Sequence, residues 1–354
     1  MLPPARTPRY GRLSKDAGVR RYGSRAPAHG ARDWPSMPPD DGSEDPRTSR
    51  SPEQRGAAVL RAVTSPRPSA LAAGFLAAAS LLAAAAPAAG APAAPPPVVS
   101  APRLHASWTV TATLSGRPAA WAARRSGVTL MRFDQRALRL ELHPGTAEPG
   151  GGGWTHTSRI AGEEAHRVVA GFNSGFKFSY GSLGFMDNGR TAVPLAAGLA
   201  SIVIYRDGTT QIGTWGRGVP AAGKRIVSVR QNLGLLIDHG FPAGNLESCI
   251  EACWGATDLG LTYVARSALG ITASGELVWA AGASLSPAGI VRALRGAGVQ
   301  RAVELDINPE WVNGFLYVHR RGGPRAVSVV PGEGAISGGL LSPYSRDFFT
   351  VVAR

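Results

Sequence analysis

Lysine is almost absent from this chain: positions 15, 177 and 224 carry all three, and arginine supplies the remaining basic charge. A GC-rich coding sequence would give that bias without any binding need. The formal net charge is +14, yet no run of five or more basic residues occurs, and no zinc-finger or RNP-type pattern accompanies the arginines. The surplus is spread along the length, +6 over residues 1–102 and +8 over the rest. A dedicated nucleic-acid site is therefore not expected, whereas a basic surface favours anionic partners such as phosphodiester polymers or phosphorylated glycans. Three catalytic signatures are also missing: the G-x-S-x-G elbow, the Walker loop and the H-E-x-x-H zinc helix. Cysteine is limited to Cys249 and Cys253, in SCIEACW. In a cytosolic protein that spacing would hint at metal or redox chemistry. Outside the membrane it predicts a local disulfide, stapling a polar loop between Phe241 and Asp258.

Large aliphatics are scarce over residues 1–68, which are rich in Pro, Arg, Ser, Gly and Asp; burial there cannot offset the entropy of ordering, so a disordered tail is expected. Residues 69–91, SALAAGFLAAASLLAAAAPAAGA, carry no charge, follow Arg61 and Arg67, and end in an A-x-A-like site. They predict a membrane-targeting segment, either a cleavable signal peptide or a single-pass anchor, with the C-terminal remainder of the chain outside the cytoplasm. Residues 92–102, PAAPPPVVSAP, read as a stiff spacer of polyproline type. One folded domain is expected over 103–354.

Within it, short alternating runs separated by Gly, Pro and Asp predict strands at 108–114, 128–133, 138–142, 167–172, 201–205 and 210–215. Further strands are predicted at 226–230, 233–238, 302–307, 315–319 and 347–353. Asp207-Gly208 suits a type I′ hairpin turn, and a second hairpin is expected to turn at Ala273-Ser274-Gly275. One helix stands out, capped by Ser286, with Pro287 at its first position, apolar Ile290, Val291 and Leu294, and Gly298 to close it. Runs of strands with few helices predict an α+β, strand-rich single domain of mostly antiparallel hairpins.

The densest chemistry lies in RAVELDINPEWVNGF, residues 301–315. In a strand, Val303, Leu305 and Ile307 would face the core, leaving Glu304, Asp306 and Asn308 on the opposite face. The strand rise sets Glu304 and Asp306 about 6–7 Å apart, a separation that permits acid/base work without selecting a stereochemical outcome. Pro309 then throws Glu310, Trp311 and Asn313 into a loop, and carboxylate, amide and indole together suit sugar recognition. A solvated strand face would carry the same acids with no chemistry at all. Four hard oxygen donors, Glu304, Asp306, Asn308 and Glu310, could also hold a divalent cation; no other cofactor is expected.

Three further clusters accompany it. Asn173, Ser174 and Gly175 at a strand end allow close approach to a ligand, and Lys177 can hold a phosphate as a point charge; an ordinary turn would look alike. Arg266, on a core hairpin, either grips an anionic group or pairs with one of the acids. Gln231 and Asp238 flank an apolar strand, where Asp238 and His239 also read as a turn.

The order of these clusters resembles the phosphodiester glycosidase domain family over about Val128 to Val352. The family's Asn-Gly-Gly-Phe-Phe motif falls on Asn173, Ser174, Gly175, Phe176 and Lys177, and its Arg-Thr-Ala-x-Gly motif on Arg266 to Gly270. Its Asp-Gly-Gly-Gly-Ser motif falls on Asp306, Ile307, Asn308, Pro309 and Glu310, where only the Asp is kept. The resemblance implies a divergent bacterial hydrolase acting outside the cytoplasm on a sugar phosphodiester or related glycosidic bond of a cell-envelope glycan. Asp306 and Glu304 would be acid and base, Arg266 and Lys177 would hold the anion, and Asn173, Asn308 and Glu310 would orient the sugar. Gln231 and Asp238 join the candidate binding residues. A non-catalytic cell-surface glycan-binding module on the same fold is the alternative.

Overall fold

The computed structural model describes residues 95–354 apart from 182, 258, 331–335 and 337. The tail expected over 1–68, the targeting segment 69–91 and the first residues of the spacer lie outside the described residues. Among the described residues no helix is long and apolar enough to cross a membrane.

The alternating runs form three sheets. The largest has nine strands in the order β1 (Val98–Val99), β2 (Thr109–Leu114), β3 (Arg117–Arg125), β4 (Val128–Phe133), β16 (Leu277–Leu285), β15 (Val264–Thr272), β17 (Val299–Glu304), β13 (Leu235–Asp238) and β14 (Phe241–Pro242). A six-stranded sheet runs β11 (Gly218–Val219), β10 (Thr210–Trp215), β9 (Ala200–Tyr205), β12 (Ile226–Asn232), β7 (Phe185–Asp187) and β8 (Arg190–Val193). The third, of five strands, is β19 (Gly323–Ser328), β18 (Gly314–Arg320), β6 (Val168–Asn173), β20 (Phe348–Ala353) and β5 (Leu138–His143). Neighbours are antiparallel except β10 with β11. The strand-rich, largely antiparallel organisation read from the sequence is present.

The two-residue pleat explains how three sheets share one core. Ile202 and Ile204 of β9 face the same cluster as Phe349 and Val351 of β20 and Trp279 and Ala281 of β16. Their alternates go elsewhere: Val203 and Tyr205 to one outer cluster, Phe348 and Val352 to another, Val278 and Ala280 to a third. That third cluster is covered by helix α3 (Pro287–Gly296), which packs Ile290, Val291 and Leu294 on the back of the nine-stranded sheet. Each of those burials contributes on the order of 1.5–3 kcal/mol. Ser286 Oγ caps α3 by accepting from Gly289 N at 3.1 Å, and Gly298 leaves it at φ +84°. Two shorter helices, α1 (Gly162–Arg167) and α2 (Ile250–Trp254), sit in connections.

The expectation of an open polar face on 302–308 is corrected, since α3 covers Ala302 and Arg266 covers Glu304. Val303 and Leu305 enter the shared core, while Ala302 packs in the cluster under α3 and Glu304 is buried at 1% exposure. β17 also begins earlier and ends sooner than expected, at Glu304. Three other differences are local. The β9–β10 turn is not type I′: only Gly208 has positive φ (+77°), and Tyr205 N bonds Thr209 O across a three-residue loop. The type I′ pattern occurs instead at Ser115-Gly116, Ser126-Gly127 and Asn188-Gly189, where both residues have positive φ. Two of those turns bracket β3, an Ala- and Arg-rich strand whose apolar alternation is too weak to read. Val98–Val99, expected in the spacer, pairs with β2 as β1.

Candidate active site beside Asp306

After β17 the chain leaves the sheet through two polar turns. Asp306 Oδ1 accepts from the N–H groups of Ile307 (2.7 Å) and Asn308 (2.9 Å). Asn308 Oδ1 accepts from Glu310 N at 2.8 Å, and its carbonyl accepts from Trp311 N and Val312 N, both at 2.9 Å. Such side-chain-to-backbone closure is why Asp and Asn suit this path and a strand does not continue. Asn232 Nδ2 donates to the carbonyls of Glu304 and Leu305 and pins the exit.

These turns form one wall of a cavity of about 720 Å³. Phe176, Lys177 and Tyr180 reach it from the segment after β6, Thr257, Leu259 and Leu261 from the segment after α2, and Trp311 and Arg346 complete the polar end. Arg346 Nη2 lies 3.3 Å from Asp306 Oδ2 and donates to Gly175 O at 2.9 Å; its Nε is 3.1 Å from Glu148 Oε2. The guanidinium lies 5.1 Å from the Trp311 ring centre and the Lys177 ammonium 5.9 Å. Burial pushes the Asp306 carboxyl up to about 6, against the Arg346 charge and the two backbone hydrogen bonds, with Asp347 adding to the rise. Asp306 thus lines the cavity while only 3% exposed.

Below this wall Arg230 Nε donates to Asp347 Oδ2 at 2.6 Å, and its Nη2 donates to Phe176 O at 2.5 Å. Gly175 lets the two approach closely, since a Cβ would sit 3.0 Å from the Arg230 guanidinium carbon and make it give way. Arg230 and Asp347 therefore position the segment that carries Lys177 and the one that carries Arg346. Neither they nor Arg346 was singled out by sequence reasoning. The available signal was the pair Arg346-Asp347 immediately before an apolar last strand.

The structure brings Lys177, Asp306, Asn308 and Glu310 into one cavity and leaves the other expected residues outside it. Glu304 and Arg266 face each other instead: Arg266 Nη1 donates to Glu304 Oε1 at 2.6 Å, with further bonds to Leu285 O (2.8 Å) and Trp254 O (3.0 Å). Burial pushes Glu304 up to about 7 despite Arg266, and neighbouring Asp306 adds to the rise. Asn173 lies one bond behind the cavity wall, its Nδ2 donating to Ser267 Oγ at 2.9 Å, which accepts from Asp306 N at 3.2 Å. Gln231 is fully buried and clamps Ala196 N, Ala196 O and Ser201 Oγ. Asp238 lies at the β13–β14 turn, paired with Arg301 Nε at 3.1 Å.

Of the four oxygen donors that could hold a cation around Asp306, Glu304 is turned to Arg266 and lies outside the cavity lining. A different trio, Glu141, His143 and Glu164, holds its donor atoms within 4.8 Å of one another. Arg139 already lies 2.5 Å and His156 3.5 Å from Glu141 oxygens. Burial opposes charge on His156, yet its hydrogen bonds to Asp187 and Glu141 raise its pKa to about 10, so a metal would compete with two resident cations. Cys249 and Cys253 are disulfide-bonded, with Cα atoms 5.5 Å apart.

No family model and no curated protein matches the chain. Among solved structures, it is similar to the catalytic domain of zebrafish N-acetylglucosamine-1-phosphodiester alpha-N-acetylglucosaminidase, auto-inhibited by its pro-peptide. That likeness has 15% identity and a TM-score of 0.42, over 70% of this chain and 81% of that one. A hypothetical protein from Synechocystis is similar at 12% identity and a TM-score of 0.35, over 68% of this chain and 63% of that one. Both are weak structural relationships.

Proposed function

We propose that this cavity hydrolyses a sugar-phosphodiester or related glycosidic bond in a cell-envelope glycan, with Asp306 as general acid, in the manner of the phosphodiester glycosidases. The observation that carries the reading is the state of Asp306, buried yet open to a cavity and pushed up to about 6. A carboxyl so placed keeps its proton in mildly acidic solution and can release it to a leaving oxygen. As the anomeric C–O bond breaks, the Asp306 proton passes to the departing oxygen. Water adds to the anomeric carbon and gives its proton to Glu310, the exposed carboxylate of the same wall, which takes the role expected of Glu304. Trp311 offers a face to the sugar ring, Asn308 a hydrogen bond, and Lys177 a charge for the phosphate. The local disulfide supports a site of action outside the cytoplasm, secreted or tethered through residues 69–91.

The test is Asp306→Asn, which keeps the acceptor for both backbone N–H groups while removing the proton. It should lower turnover of a sugar-1-phosphodiester by about 10²–10⁴-fold with an unchanged melting temperature; a variant with undiminished turnover sinks the mechanism. A second reading, a glycan-binding module without catalysis, is favoured by the loss of Glu304 to Arg266. Saturable binding of wall glycans with no released reducing sugar or phosphate would select it.

A further inference from the structure

We infer that the substrate of this cavity is an amphiphile: a phosphodiester whose aglycone is a long apolar chain lying against the segment after the disulfide. The identity of the head rests on the hydrolase reading; the apolar chain rests on separate observations. One cavity joins the polar end at Lys177, Asp306 and Arg346 to an apolar wall of Phe176, Ile307, Leu233 and Val264. Its lining continues outward to Leu259 (80% exposed), Leu261 (49%) and Tyr180 (57%). Large apolar side chains that stay in water where a pocket opens mark a surface that something covers.

The backbone keeps them there. The Cys249–Cys253 disulfide and buried Trp254 anchor the segment at one end. Gly255, at φ +92°, then brings it so close to the cavity wall that a Cβ would meet Ile307 Cδ1 at 2.7 Å and Phe176 Cζ at 2.8 Å. Thr257 Oγ1 accepts from Leu261 N at 2.6 Å, which occupies one of its two lone pairs. Among the described residues, the one charged side chain on this side of the lining is Glu251, which comes from α2 inside the disulfide loop. Among the described residues of that side, a carbohydrate or nucleoside leaving group would find few side-chain hydrogen-bond partners beyond Glu251 and Thr257. An alkyl or polyprenyl chain needs none and gains by leaving water.

The probes are soluble alkyl phosphates from methyl to octyl, below their micelle concentrations, titrated calorimetrically into the protein. Affinity should rise by roughly fourfold per added methylene over the first several carbons. Leu259→Ser with Leu261→Ser, both at exposed positions, should remove most of that slope, whereas Lys177→Ala should weaken every member by a similar factor. Equal binding of methyl and octyl phosphate, no binding of octyl phosphate, or an unchanged slope in the double variant overturns the inference. So does a flat series combined with leucine-dependent binding to phosphatidylcholine vesicles, which would make the patch a membrane-docking surface. A steep slope without turnover of any sugar phosphodiester supports the amphiphile site while removing the hydrolase reading. Turnover of a methyl diester with no chain-length dependence does the reverse.

Discussion

Two carboxylates two residues apart, Glu304 and Asp306, share one cause of perturbation and have opposite fates. Burial raises both, to about 7 and about 6. Glu304 closes on Arg266 inside the sheet, with neither side chain more than 1% exposed. Asp306 closes on Arg346 at a cavity wall. A raised pKa therefore marks a buried acid, and access to a cavity is what separates a candidate catalyst from a structural ion pair.

The comparison breaks most sharply on activity. Asp306→Asn should cost about 10²–10⁴-fold in kcat, the usual scale of general acid catalysis, with the fold intact; kinetics and thermal melting check both halves. Arg266→Leu should instead cost roughly 3–5 kcal/mol of stability by leaving Glu304 buried without a partner, seen as a lower urea midpoint.

pH sharpens the same pair. Both acids bind protons more tightly when folded than their ordinary values of 4.5 and 3.8 allow, so their contribution to stability is complete below those values. It is lost as pH rises through about 6 for Asp306 and about 7 for Glu304. The urea midpoint should fall over that window, and Glu304→Gln should flatten its upper part. Turnover should decline as pH passes about 6, because the proton that Asp306 donates is gone.

Smaller effects are expected at the periphery. Lys177→Ala should raise KM about tenfold for an anionic substrate, with a weaker salt dependence than the parent protein. Asp238→Ala, at a solvent-facing turn pair, should change stability by under about 1 kcal/mol and leave turnover untouched; a large loss of activity would restore it to the site.

Much of the fold was legible because its signals are local. The observed strands 128–133 and 210–215 match the expected ones, and α3 begins at the expected Ser286 cap. β3 was not legible, since alternation between alanine and arginine barely registers as a face. In the site, Lys177, Asp306, Asn308 and Glu310 were readable as polar residues crowding strand ends. Arg346 was not, because it stands 40 residues beyond Asp306 in a segment that carries no motif.

By itself the sequence determined where strands start, where turns need positive φ, and that residues 301–315 carry an unusual density of acids and amides. Those properties depend on neighbours a few residues away. Only the tertiary structure decided which acid meets the cavity. Alternation defines two faces of a strand but not what covers each, and here Arg266, held by the Leu285 and Trp254 carbonyls, closed over Glu304. Beyond the strand end the Asx turns and Arg346 left Asp306 at an open wall.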